Sequence, residues 1–213
     1  MAFDFPIDVG VDPWWKPVLE AQKRKVYHSV VCADSSALPF PTRYFKSGFS
    51  NSVLEHIPDI DHVIAEIARI LQPGSPFAFC VPNHRFLDNL SIGLLLNRIG
   101  LKPLGNAYRN FFNRISRIAH CDKPEVWIER FEKHGLIIED NWDYFSPRAL
   151  KVLEWGHYFG IPSWVSKMLF GRWILAPNTW NLKITDKIVR PHYDDSPRSD
   201  DGVYTFYIAR RIG

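Results

Sequence analysis

A chain of 213 residues, 46% hydrophobic and 23% charged, is long enough to bury a sizeable core and too ordinary in charge for disorder. Its net charge of +3 is too mild to imply a nucleic-acid partner, and none is expected. Three cysteines without a CxxC pair argue against a disulfide framework and a structural zinc site, so no metal is expected and a reducing, cytoplasmic compartment fits. The opening MAFDFP lacks the basic and apolar stretches of a secretory signal, and no apolar run is long enough to span a bilayer.

Residues 7–12, IDVGVD, are apolar, β-branched and end in an acid, which predicts a buried strand. PVLEAQKRK at 17–25 predicts a short helix, with proline in its first turn and cations in its last. SVVCAD at 29–34 repeats the strand pattern, with Cys32 as a small core residue like Cys80. YFKSGFSN at 44–51 predicts a weaker strand. Ile60, Val63, Ile64, Ile67, Ile70 and Leu71 recur at helical spacing, so 60–71 is expected to bury one face, capped by Asp59 or Asp61 and ended by Pro73-Gly74. FAFCVP at 77–82 predicts a fourth strand. Helix is expected over 86–118 with a break at 100–105, then over 124–134, stopped by Gly135. A strand is expected at 136–146, helix over 147–175 broken at 160–162, and a closing strand at 203–209 after a polar turn.

Strands alternating with helices predict an α/β, Rossmann-like, mostly parallel sheet, and such sheets bind ligands at the carboxyl ends of their strands. Asp12, Asp34 and Asn51 each stand at such an end. If their strands are neighbours, the three polar groups line one crevice. Acids there also serve as helix caps or turn formers.

GVDP (10–13), ADSSALPFP (33–41), FSNSVLEHIPD (49–59), IAEIARILQPG (64–74) and FAFCVPN (77–83) follow one another with an order and spacing that resemble the class I S-adenosylmethionine-dependent methyltransferases acting on small molecules and lipids. Weaker resemblances lie at 126–146 and 204–211, the latter matching the family's antiparallel last strand. The resemblance implies S-adenosylmethionine as cofactor and a small-molecule or lipid-like substrate. It implies that Asp12 accepts hydrogen bonds from both ribose hydroxyls, as one carboxylate can. Pro13 and Trp14 would pack on the adenosine, and Asp34 would accept from the adenine amine with the Ser35 N–H nearby. Leu38-Pro39-Phe40 would close over the base. Asn51 and Ser52 would lie beside the methionine part, and His56 near the reacting end. His56 is the one catalytic candidate, set against a structural or pocket-wall reading. His84, Tyr108 and His120 are substrate-side candidates against the same alternative.

Three departures from the family pattern stand out. The family's Gly-rich G-x-G-x-G turn precedes the ribose acid by roughly twenty residues, whereas eleven residues precede Asp12 and Gly10 is the one glycine before Gly48. The first strand and its helix are therefore missing from the pattern. This makes the chain an expected fragment or a degenerate relative. The alternative function is a non-catalytic, methyltransferase-like interaction module. Lys46-Ser47 places long polar groups inside the expected 44–51 strand, which is costly unless they reach water. The third departure is a long 84–123 segment, read as a helical insertion and substrate lid within one 1–213 domain.

Charge is uneven. Residues 84–193 hold sixteen Lys/Arg against ten Asp/Glu, with six of the eight tryptophans. Either this is a packed aromatic cap with a solvated basic face, or it is a surface for peripheral membrane contact. Trp164, Val165, Met168, Leu169 and Trp173 lie close to one face of the helical, aromatic-rich 147–193 segment. They suit core, dimer contact or a bilayer. No pattern specifies an oligomer.

Overall fold

In the computed structural model, residues 7–159, 168–169, 179–193 and 196–213 are described. The order is β1 (Ile7–Asp12), α1 (Trp15–Arg24), β2 (Tyr27–Cys32), β3 (Gly48–Asn51), α2 (Ile60–Ile70), β4 (Pro76–Pro82), α3 (Ser91–Arg98), α4 (Lys102–Ser116), α5 (Pro124–Lys133), β5 (Leu136–Tyr144), α6 (Pro147–Phe159), α7 (Thr179–Tyr193) and β6 (Tyr204–Arg211). Trp164, Val165, Lys167, Arg172 and Trp173 fall outside the described residues.

The strands form two sheets. β1 and β2 pair in parallel, with Val9 opposite Ser29 and Asp12 opposite Cys32. The second sheet runs β3-β4-β6-β5: β3 is parallel to β4, and β6 is antiparallel to both of its neighbours. Crossovers through α1 and α2 join the parallel pairs, so β1, β2 and β3 all end near the ligand-binding side that this topology creates.

α2 shows why the apolar spacing folds as it does. Ile60, Val63, Ile64 and Ile67 are buried against Phe77 and Phe79 of β4 and Trp127 and Phe131 of α5. Each contributes about 1.5–3 kcal/mol by leaving water. Phe79 sits between two rings, stacked on Phe131 at 4.5 Å and on Tyr207 at 4.6 Å. α2 gives way at Leu71, and Gly74 takes φ 78°, the left-handed region open to glycine. Asp59 occupies the cap position without capping the helix; its carboxylate takes His62 Nδ1 at 2.7 Å instead.

A second cluster joins Phe86, Leu90, Phe112, Ile118, Leu150 and Val203. It seats the α3–α4 hairpin on the body. The two helices touch through glycines: a Cβ on Gly105 would lie 3.1 Å from the Gly93 carbonyl and 2.5 Å from Asn97 Oδ1. The fully buried Glu154 carboxylate of α6 accepts from the Ser91 and Ile92 N–H groups at the start of α3 and from the Tyr108 hydroxyl of α4. One side chain therefore satisfies orphan donors at the helix start and ties three helices together. Tyr108 is structural here.

Three local expectations change. β1 is only partly buried, because it has one strand neighbour among the described residues. Cys32 is exposed rather than a core residue. Lys46 and Ser47 precede β3 and are exposed, so the cost expected for polar groups inside a strand does not arise. Phe45 makes only an isolated bridge to Leu71.

Candidate functional site

A cleft of about 530 Å³ opens between the two sheets. Val9 and Val11 of β1 and Gly48 to Asn51 of β3 line it, with Ile67 and Leu71 at its apolar wall. Pro13, Ser35, Leu38, Phe40 and Asn51 also line it, drawn from three separate strand ends. Asp12 and Asp34 flank it in the chain, beside Pro13 and Ser35. Trp14 is 71% exposed, an unusual burden for so large an apolar ring.

The two acids are built alike. Asp12 Oδ1 accepts the Trp14 N–H at 2.8 Å. Asp34 Oδ1 accepts the Ser36 N–H and the Ser36 hydroxyl, both at 2.8 Å. Each carboxylate thus folds its own turn with one oxygen, and Oδ2 carries no hydrogen bond among the described residues. The turn-forming role and an available acceptor coexist in the same side chain. The Ser36 N–H, and then its hydroxyl, hold the Asp34 carboxyl below the usual range, so it stays ionised.

The loop after Asp34 is held by α2. Glu66 Oε2 accepts the Leu38 N–H at 2.7 Å, and Arg69 donates to the Leu38 and Phe40 carbonyls, both at 2.8 Å. Arg69 and Glu66 pair at 2.7 Å, and that bond is the main reason the Glu66 carboxyl lies below its ordinary value. The polar face of α2 therefore fixes a loop whose own backbone bonds are tight turns, Ala37 N–H to the Asp34 carbonyl and Phe40 N–H to the Leu38 carbonyl.

At the end of β3, Asn51 Oδ1 accepts from the Cys80 thiol at 2.8 Å. Ser52 takes φ 51° and donates its N–H to the Cys80 carbonyl. A left-handed serine directly after a strand costs energy, and such strain gathers where function needs a particular backbone. His56 Nδ1 lies 3.0 Å from the Arg117 carbonyl, so the ring ties this turn to the end of α4. His120 Nε2 lies 3.0 Å from the Ile57 carbonyl, and His84 is exposed.

Glu55 was quoted in the sequence motif without a role. It is 1% exposed, and its Oε2 has no hydrogen-bond partner. Burial pushes its carboxyl above the ordinary value of 4.5. Burial, reinforced by the charge of Glu55, also raises the Tyr144 and Tyr204 hydroxyls, and it pushes Cys121 up to about 12. These groups share one buried neighbourhood. The L-E-H-I pattern around Glu55 gives no signal for it, because the burial comes from the chain at Ala119 and His120, whose N–H groups bond the Glu55 carbonyl. A raised acid pKa gives stability that is full below about pH 4.5 and lost as pH rises through the folded value. Glu55→Gln is therefore expected to gain stability relative to the wild type as pH rises from 5 to 7 in urea titrations. An equal difference between the two proteins at both pH values would contradict this.

Residues 8–79 match the methyltransferase domain family. The chain has the fold of a class I methyltransferase, and the domain match spans a third of its length. Among solved structures, the (4+2)-cyclase SpnF is 17% identical, with 97% of this chain and 67% of that one covered at a TM-score of 0.57. A Thermotoga maritima S-adenosylmethionine-dependent methyltransferase, a possible histamine N-methyltransferase, is 14% identical, with 96% and 72% covered and a TM-score of 0.54. Phosphoethanolamine N-methyltransferase 2 of Haemonchus contortus, solved with S-adenosyl-L-methionine, is 18% identical, with 96% and 43% covered and a TM-score of 0.56. At these identities the structures speak for the fold. No curated protein sequence matches the chain. The domain match and the fold support a methyltransferase enzyme over a non-catalytic interaction module. Among the described residues, this methyltransferase domain has no helix long and apolar enough to cross a membrane.

Proposed function

We propose that the chain transfers a methyl group from S-adenosylmethionine to a small or hydrophobic organic acceptor, with the cofactor held at the carboxyl ends of β1, β2 and β3. One observation carries the reading. Two carboxylates on adjacent parallel strands each keep one oxygen uncommitted, beside a cleft lined by Pro13, Ser35 and Asn51.

The donor set suits an adenosine. Asp12 offers an acceptor to ribose hydroxyls, and the ionised Asp34 offers one to an exocyclic amine. Trp14 supplies an exposed aromatic face next to Pro13. Leu38 and Phe40, fixed by Glu66 and Arg69, give the base an apolar cover and keep water from it. Asn51 and Ser52 set the backbone at the far end of the site. When bound, the cofactor supplies a methyl group on a positively charged sulfur. The chain then has mainly to align an acceptor in line with that methyl, which is positioning rather than acid–base chemistry. A base is needed only for an acceptor that must lose a proton, and His56, engaged with Arg117, is not assigned that role. We place the reaction in a reducing, cytoplasmic setting, a reading supported by three thiols that stand unpaired.

Calorimetry with S-adenosylhomocysteine tests the site. Asp12→Ala and Asp34→Ala are each expected to weaken binding by about 1.5–3 kcal/mol, the value of a lost charge-assisted bond. Unchanged affinity in both variants would remove the assignment. Product mass from an acceptor screen identifies the methylated class.

A further inference from the structure

The α3–α4 hairpin has an outer surface that the methyl-transfer reading does not use. Seven of the large hydrophobic side chains left exposed lie between Leu94 and Ile115. On α4, Leu104, Phe111 and Ile115 are spaced by seven and four residues, so they form one stripe, 55%, 50% and 43% exposed. On α3, Leu95 and Ile99 are one turn apart, 58% and 60% exposed. The neighbouring side of α4, about 100° round the helix through Gly105 and Phe112, is buried. The helix is thus apolar on two adjacent sides, one of which stands exposed.

The charges around this surface have one sign. From Asn89 to Cys121 there are five Arg/Lys and no Asp/Glu. Arg109 turns inward, 3.8 Å from Asp88. Arg98, Lys102, Arg114 and Arg117 are exposed, and none has an ion-pair partner among the described residues. Exposed leucines, isoleucines and a phenylalanine bordered by cations without an ion-pair partner among the described residues, with no acid between Asn89 and Cys121, complement an anionic lipid surface, where apolar groups enter the acyl boundary and cations meet headgroups. We propose that the α3–α4 hairpin docks this protein on anionic membranes, lying in the plane of the interface.

The test uses the full chain and vesicles of phosphatidylcholine alone or with 30% phosphatidylglycerol. Flotation is expected to recover the protein with the anionic vesicles only, and less of it as salt rises. Phe111→Asp together with Ile115→Asp should abolish recovery. Arg98→Gln and Lys102→Gln should each lower the partition coefficient about fivefold. All four positions are exposed, so the fold is expected to persist, checked by circular dichroism. A Phe111→Trp reporter should shift to the blue with anionic vesicles. No flotation on anionic vesicles would overturn the proposal, as would recovery insensitive to these substitutions. Sedimentation velocity showing a dimer that Phe111→Asp dissociates would assign the surface to a second copy and overturn it too.

Discussion

Phe79→Ala is expected to lower the unfolding free energy by about 3–5 kcal/mol, the cost of an emptied aromatic site in a packed core. Phe79 has no solvent exposure and holds the centre of a stack, with Phe131 on one side and Tyr207 on the other and Trp127 at 5.6 Å. The stack joins β4, β6 and α5, so its loss leaves a void between elements distant in sequence. The neighbouring rings are fully buried and have little room to collapse into that void. Phe79→Leu keeps most of the volume and should cost about half as much. A denaturant midpoint for Phe79→Ala within 1 kcal/mol of the wild type would show that the stack is dispensable.

Asn83→Leu is expected to cost about 2–4 kcal/mol, although the side chains are close in volume. Asn83 is fully buried at the end of β4. Its Nδ2 lies 3.0 Å from the Gly202 carbonyl and 3.2 Å from both Asp143 Oδ1 and Thr205 Oγ1, and its Oδ1 accepts the Arg85 N–H at 3.0 Å. Leucine would take the partner from the Gly202 carbonyl and the Arg85 N–H and leave the Thr205–Asp143 bond facing hydrocarbon, and an unmade buried bond costs more than a made one contributes. Asn83→Asp sets two carboxylates against each other beside Asp143, whose other oxygen already takes Arg85 at 2.8 Å. That variant should recover stability on acidification, and Asn83→Leu should not. If the two variants respond alike to pH, the network does not work as described.

The regular elements were legible where one physical rule decided them. The spacing of Ile60, Val63, Ile64 and Ile67 left one solution for α2, and the alternation in YTFYIA left one for β6. Cys32 was misplaced because an apolar neighbourhood in sequence does not reveal that its strand has a single partner. The start of β3 was set too early, since Phe45 is apolar but pairs only at one bridge. At the candidate site the strand-end acids were visible, while what holds them was not. Arg69 holds the Leu38 and Phe40 carbonyls and Glu66 holds the Leu38 N–H, and backbone groups carry no residue signature. Glu55 escaped for a related reason: its burial depends on a segment more than sixty residues away.

The glycine contact between α3 and α4 has a mechanical outcome. At Gly93 and Gly105 the two backbones come close, with Arg109 packed on the first glycine and Asn97 on the second, so neither position has room for a side chain of its own. The hairpin is therefore built as a single paddle, held to the body by Glu154 and by the cluster around Phe112 and Leu150. Its outward residues can drift in evolution without loosening the paddle, whereas one methyl group at position 105 would wedge it open.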